Sequence, residues 1–255
     1  MEVNKKEKAP KATVEQAERL DYVLTELEKV KNAEGSEYDE RRSELYQEYY
    51  DTISKYDWYD EVFEENGKKG MKDVKGKIVV PAIYDDFCMP EPYFHKSMPV
   101  GAKKDGKVAL VTRDGTGSPQ TEFEYHYAER IPFTAIYAVW KSDDLKHFAL
   151  MAGGKVFTPY EIEAYGDVCD GAIRLAAGGK IGLLAYELGL TYIKPEYDDI
   201  YDEGIGEYFV FVKDGKEGRV TLDKRFISNE DFDQLPEEEQ DKLEEIGFIY
   251  APDFD

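Results

Sequence analysis

The chain repeats itself, and this repetition limits what it can fold into more than any other feature. Twelve residues at 76–87, GKIVVPAIYDDF, return in altered form at 189–200 as GLTYIKPEYDDI. A shorter motif, Gly-Lys-x-Gly or a variant of it, recurs at steps of 39, 40, 33 and 36 residues. Its copies are GKKG at 67–70, GKVA at 106–109, KHFA at 146–149, GKIG at 179–182 and GKEG at 215–218. A near-constant period of this length is typical of repeat architectures, so we interpret the chain as a repeat protein.

Each repeat predicts a β-hairpin followed by a short extended segment. Runs such as KVALVT, AIYAVW and YFVFV are rich in β-branched and aromatic residues and are bounded by Gly and Asp, as in strands joined by tight turns. The tripeptide KDG at 104–106 and 213–215 favours a type I′ turn. One hairpin cannot bury its apolar face, whereas stacked hairpins cover each other. We therefore expect a mainly β fold, an array of about five β-hairpin repeats, as an open stack or, alternatively, as a five-bladed propeller.

The repeats resemble the WG-repeat family of bacterial proteins, also called KWG repeats. The resemblance spans residues 61–227 and is clearest in GKKGMKDVKGKIVVPAIYDDF and GKIGLLAYELGLTYIKPEYDDI. The Trp that the family has before the second Gly is replaced here by Lys69, Val108, Phe148, Ile181 and Glu217, so the array is divergent. The resemblance implies a β-rich scaffold with no common enzymatic activity and a suspected role in protein binding.

Residues 1–60 predict a helical hairpin that caps the array. Thr13 and Gln16 have the spacing of a capping box at the start of the first helix. Gly35 interrupts the helical pattern, and Ser36 is placed to cap the second helix. Repeat arrays need polar elements at their ends, which is the role we expect for this hairpin.

Residues 228–255 predict an acidic C-terminal helix and tail, which would cap the other end of the 61–227 repeat segment. Pro236 is expected in the first turn of this helix, and Gly247 is expected to end it. The segment holds 11 acidic residues and one basic residue, Lys242. It thus carries nearly half of the net charge of −22.

The charge and the cysteine content limit the partners and the compartment. A net charge of −22 disfavours direct binding to nucleic acid, because that affinity comes from Lys and Arg neutralising phosphates. It favours a basic protein partner, although solubility alone also explains such a charge. No apolar run is long enough to cross a bilayer, and no secretory signal precedes the first helix. With only two cysteines, we expect a cytoplasmic protein that does not act at membranes; its oligomeric state is not predicted.

No catalytic, cofactor or metal motif emerges from the sequence. His95, His126 and His147 lack metal-ligand spacing, and the Gly-rich stretches do not open a helix after a strand. Cys88 and Cys169 follow the ends of successive repeats, where small buried side chains explain them better than nucleophiles. We therefore expect a non-enzymatic protein without a cofactor.

Acidic clusters are the candidate partner-binding residues. The segment YDDIYDEG at 197–204 gathers four acids, and the C-terminal helix opens with three more. The candidates are Asp198, Asp199, Asp202, Glu203, Glu237, Glu238 and Glu239. For Asp198 and Asp199 a structural role in turns is the simpler reading, because Asp85 and Asp86 match them in the first repeat. A metal site or an acid–base pair is the remaining alternative.

Three functions follow from these features. The first is a non-catalytic binding or inhibitory module whose acidic surface docks a basic protein. The second is a nucleic-acid mimic, in which the carboxylates of 228–255 imitate phosphates and block a nuclease or another nucleic-acid-binding protein. The third, a hydrolase that uses acidic residues in a cleft, has only the abundance of acids in its favour.

Overall fold

The fold is mainly β, with helices at both ends, as the sequence predicts. We analysed a computed structural model that describes residues 9–33, 35–95, 97–132, 134–169, 171–186, 188–202 and 208–250. In this part of the chain, 18 strands form five small antiparallel sheets, numbered here 1 to 5 in chain order. The chain divides into two compact units, with the division between residues 129 and 130.

Two helices precede the first sheet. They are α1 (Val14–Val30) and α2 (Ser36–Ile53). The predicted capping box is present, since the Thr13 hydroxyl accepts from the amide of Gln16 and the Gln16 side chain accepts from the amide of Thr13. The prediction that Ser36 caps α2 is wrong. Gly35 holds the N-cap position with φ at +122°, and no side chain bonds the free amides there.

The helices pack on the first unit through an aromatic cluster and a polar contact. Leu20 of α1 is fully buried in a cluster with Trp58 and Tyr93. Beside them, Lys75 lies 2.8 Å from the Asp21 carboxylate, which also accepts the Tyr93 hydroxyl at 2.7 Å. Because Asp21 is on α1 and Lys75 on the turn between two strands, this contact fixes the helix against sheet 1.

The first unit contains sheets 1 and 2. Sheet 1 is formed by β1 (Glu61–Glu65), β2 (Lys68–Lys72) and β3 (Ile78–Tyr84), in that order. Sheet 2 is formed by β4 (Asp86–Phe87), β5 (Val100–Lys104) and β6 (Lys107–Val111). The two sheets share a core that includes Met71, Val80, Tyr84 and Val100. They therefore bury each other's apolar faces, as stacked repeats should.

The second unit repeats the same pattern three times. Sheet 3 contains β7 (Tyr127–Arg130), β8 (Ile136–Trp140), β9 (Ala149–Ala152) and β10 (Lys155–Val156). Sheet 4 contains β11 (Ala164–Cys169), β12 (Ala172–Ala177), β13 (Lys180–Ala185) and β14 (Thr191–Tyr197). Sheet 5 contains β15 (Asp199–Asp202), β16 (Phe209–Lys213), β17 (Lys216–Val220) and β18 (Phe226–Ser228). Sheets 4 and 5 share one core, in which Tyr197, Ile200 and Phe211 are buried.

The Gly-Lys-x-Gly copies occupy the same place in every sheet. Each copy leads into the strand that follows the hairpin turn of its own sheet. These strands are β2, β6, β9, β13 and β17. Where the turn is Asp-Gly, as at Asp105 and Gly106, both residues have positive φ (+50° and +79°), which is the predicted type I′ geometry.

The last residue of the motif is small because the next strand crosses it closely. A Cβ on Gly182 would lie 2.5 Å from the carbonyl oxygen of Ile193, in β14. The pairing of β13 with β14 shifts register at this point. Gly70 and Gly218 are crowded in the same way by β3 and β18.

The duplicated Tyr-Asp-Asp segment joins one sheet to the next. Tyr84 ends β3, and Asp86 begins β4. Between them, the amide of Asp85 donates to the carbonyl of Lys103 at 2.8 Å, and its carboxylate accepts from Lys68 and from the amide of Asp105. Asp85 thus binds the motif lysine of its own sheet and the hairpin turn of the following one.

Other junctions are built in the same way with different residues. The amide of Glu163 donates to the carbonyl of Ala176 at 2.8 Å, and its carboxylate accepts from the amide of Gly178 at 3.1 Å and lies 3.5 Å from His147. At the junction of Tyr125 with β7, the polar pair is His126 and Lys107, 2.7 Å apart. The motif therefore marks a joint between sheets, which answers why the chain contains it twice.

After the last sheet the chain forms two helices rather than the single predicted one. These are α3 (Asn229–Asp233) and α4 (Glu237–Ile246). Gly247 ends α4 with φ at +80°, as predicted, while Pro236 holds the N-cap position just before the first turn. The following residues return to the core, where Phe248 and Ile249 are buried against sheet 5.

Candidate protein-binding surface

The predicted site residues Asp198 and Asp199 are engaged within the fold. Asp198 is the counterpart of Asp85: its amide donates to the carbonyl of Val212 at 2.7 Å, and its carboxylate accepts from Lys180. Its pKa is lowered, first by the Lys180 hydrogen bond and also by the amides of the hairpin turn that follows β16. The Asp199 carboxylate lies 2.5 Å from Arg174. Both residues have structural contacts at the junction of sheets 4 and 5, where Asp198 lies in the bend between β14 and β15.

Of the other two acids of this predicted cluster, Asp202 is the last residue of β15. Asp202 lines an open cleft of about 570 Å³ between sheets 4 and 5, together with Arg174 and the apolar side chains of Leu175 and Phe209. Glu203 lies outside the described residues. Of the three described acids of 197–204, Asp198 and Asp199 are held by Lys180 and Arg174 at the junction, whereas Asp202 lines the cleft.

The three glutamates of the C-terminal helix form an exposed acidic turn. Glu237, Glu238 and Glu239 make up the first turn of α4, where the positive end of the helix dipole favours carboxylates. Glu238 pairs with Lys242 at 2.8 Å. Glu237 and Glu239 make no ion pair with any described residue. From 229 to 246 the chain has nine acidic residues and one basic residue, a net charge of −8.

Beside this turn lies a groove that the sequence did not predict. It lies between β18 and α4 and has a volume of about 540 Å³. Its apolar lining consists of Phe226, Ile227, Leu235, Leu243 and Ile246. Its rim carries two carboxylates and two cations, from Asp231, Glu239, Arg225 and Lys242.

Hydrogen bonds between α4 and the segment that connects it to α3 fix the helix beside the groove. The side-chain amide of Gln240 donates to the carbonyls of Phe232 and Leu235, at 3.2 and 3.0 Å, and so fixes α4 against the end of α3. Ile246 keeps 36% of its surface exposed at one end of the groove. An apolar floor beside unpaired carboxylates can accept a segment that presents both apolar and cationic side chains.

A second group missed by the sequence is a buried ion pair in the first unit. The Arg113 and Asp60 side chains are 1% and 0% exposed and lie 2.7 Å apart. Arg113 also donates to the carbonyls of His95 and Glu91. Burial raises the pKa of Asp60 to about 6 against the opposing effect of Arg113, and its Oδ1 has no hydrogen-bond partner among the described groups. No local pattern could have shown this pair, because its members are 53 residues apart.

The described residues show where the other reactive groups lie. Burial raises the pKa of the half-buried Cys88 thiol to about 11, which disfavours its thiolate form. The side chain of Cys169 lies outside the described part of the structure. In the described ranges, no group of three or more His, Cys, Asp or Glu side chains is arranged to hold a metal ion.

The functional interpretation rests on the geometry of the structure, because comparisons with known proteins found no match. No family model, no curated protein and no solved structure matches the chain. None of the described helices has the length and apolar character needed to cross a membrane.

Proposed function

We propose that this chain is a non-catalytic protein-binding module that docks a basic segment of a partner protein in the groove between β18 and α4. The observation that carries the proposal is the combination of an apolar-lined groove with the carboxylates of Glu239 at its rim and Glu237 in the same helical turn, which make no ion pair with a described residue. Apolar contact would supply affinity, whereas the carboxylates of Glu237 and Glu239 would select and orient a partner rich in Lys and Arg.

The repeat array serves this module as a scaffold in the proposal. Its five sheets carry the Gly-Lys-x-Gly motif at equivalent positions, which supports the further proposal that they are divergent WG-type repeats. The groove is built where the last sheet meets α4, so the array would hold it rigid. Inhibition of the partner would follow if the groove covers a basic functional surface.

A crosslinking experiment tests the proposal. A photo-reactive phenylalanine analogue at Ile246, inside the groove, should capture one dominant basic protein in the native host. The same analogue at Leu145, an exposed apolar position in the loop between β8 and β9, is the matched control and should not capture it. Charge reversal of Glu237, Glu238 and Glu239 to Lys should abolish the capture.

Salt provides the second readout. With the captured partner purified, the affinity should fall steeply as the ionic strength rises, because exposed charges are screened. Equal capture from both positions, or a complex that survives charge reversal and high salt, would refute docking in this groove. The nucleic-acid mimic stays a prediction, and it requires the partner's nucleic acid to compete for the same complex.

A further inference from the structure

Sheet 1 is one strand shorter than the sheets of the second unit. In sheets 4 and 5 a first strand, β11 or β15, pairs antiparallel with the second strand, β12 or β16. β1 holds the position of those second strands, because the turn at Gly67 that follows it corresponds to the turn at Gly215. Among the described residues β1 pairs only with β2. Residues 91–93 pair with the segment 58–60 just before β1, so the open edge is limited to β1 itself.

The main chain of β1 presents hydrogen-bonding groups at this open edge. Glu65 faces Lys68 across the two-residue turn, and a turn of this length closes on a hydrogen-bonded pair. Because such pairs alternate in an antiparallel ladder, Phe63 also bonds β2, whereas the amides and carbonyls of Val62 and Glu64 point away from it. Val62 is 38% exposed, and Glu64 is exposed as well.

Three of the five side chains along the edge are acidic. Glu61, Glu64 and Glu65 are exposed, and none of them makes an ion pair with a described residue. The cross-strand partners of Glu65 and Glu64 are Lys68 and Lys69, but these lysines bind Asp85 and Asp86. The edge therefore combines main-chain groups that point away from β2 with three exposed carboxylates that make no ion pair with a described residue.

We propose that the open edge of β1 accepts an extended basic segment of a partner protein as an added antiparallel strand. The pairing of β15 with β16 shows which side chains fit. Ile200 lies opposite Phe211 and is fully buried, and Phe63 is the counterpart of Phe211. The added strand would place an apolar residue opposite Phe63 and cations opposite Glu61, Glu64 and Glu65.

Strand addition of this kind draws affinity from main-chain hydrogen bonds and specificity from side chains. A second copy of the chain fits the edge poorly, because antiparallel pairing of two β1 strands sets glutamates against glutamates. The edge and the groove beside α4 lie in different units, so either site can fail its test without deciding the other.

The test uses two peptides that differ only in charge. The probe is Ser-Gly-Lys-Lys-Ile-Tyr-Lys-Gly-Ser, a charge-inverted copy of the chain's own segment 198–202, which is Asp-Asp-Ile-Tyr-Asp. The control keeps the acidic sequence between the same ends. The probe should bind the full chain at low salt, and the control should bind at least about tenfold more weakly, a difference of about 1.4 kcal/mol.

Hydrogen exchange locates the binding. The amides of Val62 and Glu64 should exchange more slowly when the probe is bound, while those of Phe63 and Glu65, already bonded to β2, should change little. Val62→Pro removes one outward amide without touching the β2 ladder and should weaken binding about tenfold or more. A triple change of Glu61, Glu64 and Glu65 to Gln should remove the preference for the probe over the control.

Three outcomes would overturn the proposal. They are equal binding of the two peptides, exchange protection elsewhere than at Val62 and Glu64, and dimerisation of the chain through β1 in sedimentation experiments. Because exchange is measured on the unaltered chain, the test does not depend on whether any variant folds.

Discussion

Replacing Gly182 by Ala tests the physical basis of the repeat. The added Cβ would lie 2.5 Å from the carbonyl oxygen of Ile193 and 2.7 Å from the backbone nitrogen of Pro195. Both distances are shorter than 3.0 Å, a separation below which Cβ contacts essentially never occur in proteins. The atoms that must move belong to the backbone of β14. Overpacking of this kind costs about 1–3 kcal/mol, and the upper end applies because no flexible side chain can give way.

The substitution also has a favourable part, which reduces the net effect. Replacing Gly by Ala lowers the entropy of the unfolded chain and stabilises the folded state by about 0.4–1 kcal/mol. The expected net loss for Gly182→Ala is therefore about 2 kcal/mol. Gly166→Ala in the same sheet is the matched control, because its Cβ would lie 3.6 Å from the Cβ of Arg174, an ordinary contact. It should be neutral or slightly stabilising.

Equilibrium unfolding in urea, followed by circular dichroism, measures both variants. The midpoint should fall for Gly182→Ala and stay or rise for Gly166→Ala, with the slope of the transition unchanged. If the two variants agree within about 0.5 kcal/mol, close to the usual effect of a neutral substitution, the crossing of β13 by β14 does not explain the glycine.

Three further predictions concern the charged groups. Arg113→Ala should cost about 3–5 kcal/mol in urea unfolding, because it leaves the Asp60 carboxylate buried and unpaired, and the double variant Arg113→Met with Asp60→Leu should recover much of this loss. Since the folded-state pKa of Asp60 is raised to about 6, the folded state binds the proton more tightly, so this group's contribution to stability should decrease as the pH rises from about 4 to about 6. Asp60→Asn should remove that part of the pH dependence, and an unchanged profile would contradict the assignment. Asp198→Asn should lower the melting temperature more than Asp202→Asn, and its effect should disappear as the pH falls through the lowered pKa of Asp198.

The sequence predicted the repeat because its period is carried by local geometry. Asp105 and Gly106 specify a turn wherever they occur, and a buried Tyr before two aspartates marks the end of a sheet. The role of the Tyr-Asp-Asp segment was only partly predicted. Turn-forming ability suggested a structural part for Asp198, but its bond to the next hairpin depends on how two sheets are stacked, which no local pattern encodes.

The candidate site was less predictable than the fold. The sequence identified the glutamates of α4 from composition and Pro236, since helix starts have local signals. It could not show that Leu243 and Ile246 would meet Phe226 and Ile227 across a groove, because that contact depends on the path of the chain after β18. The wrong assignment of Ser36 as a cap has a similar cause, since Gly35 adopts a backbone conformation that only the folded structure reveals.

The way the sheets are joined limits how such a chain can change in length over generations. Two neighbouring sheets are joined by each of three residues, Asp85, Glu163 and Asp198. The side chain of each contacts the preceding sheet, and its main-chain amide donates to a carbonyl of the following sheet. A genetic duplication or loss that begins and ends at equivalent aspartates recreates an intact joint at the new boundary. A duplication or loss that begins elsewhere leaves a hairpin turn without the carboxylate that bonds it. The number of sheets can therefore change only by whole sheets.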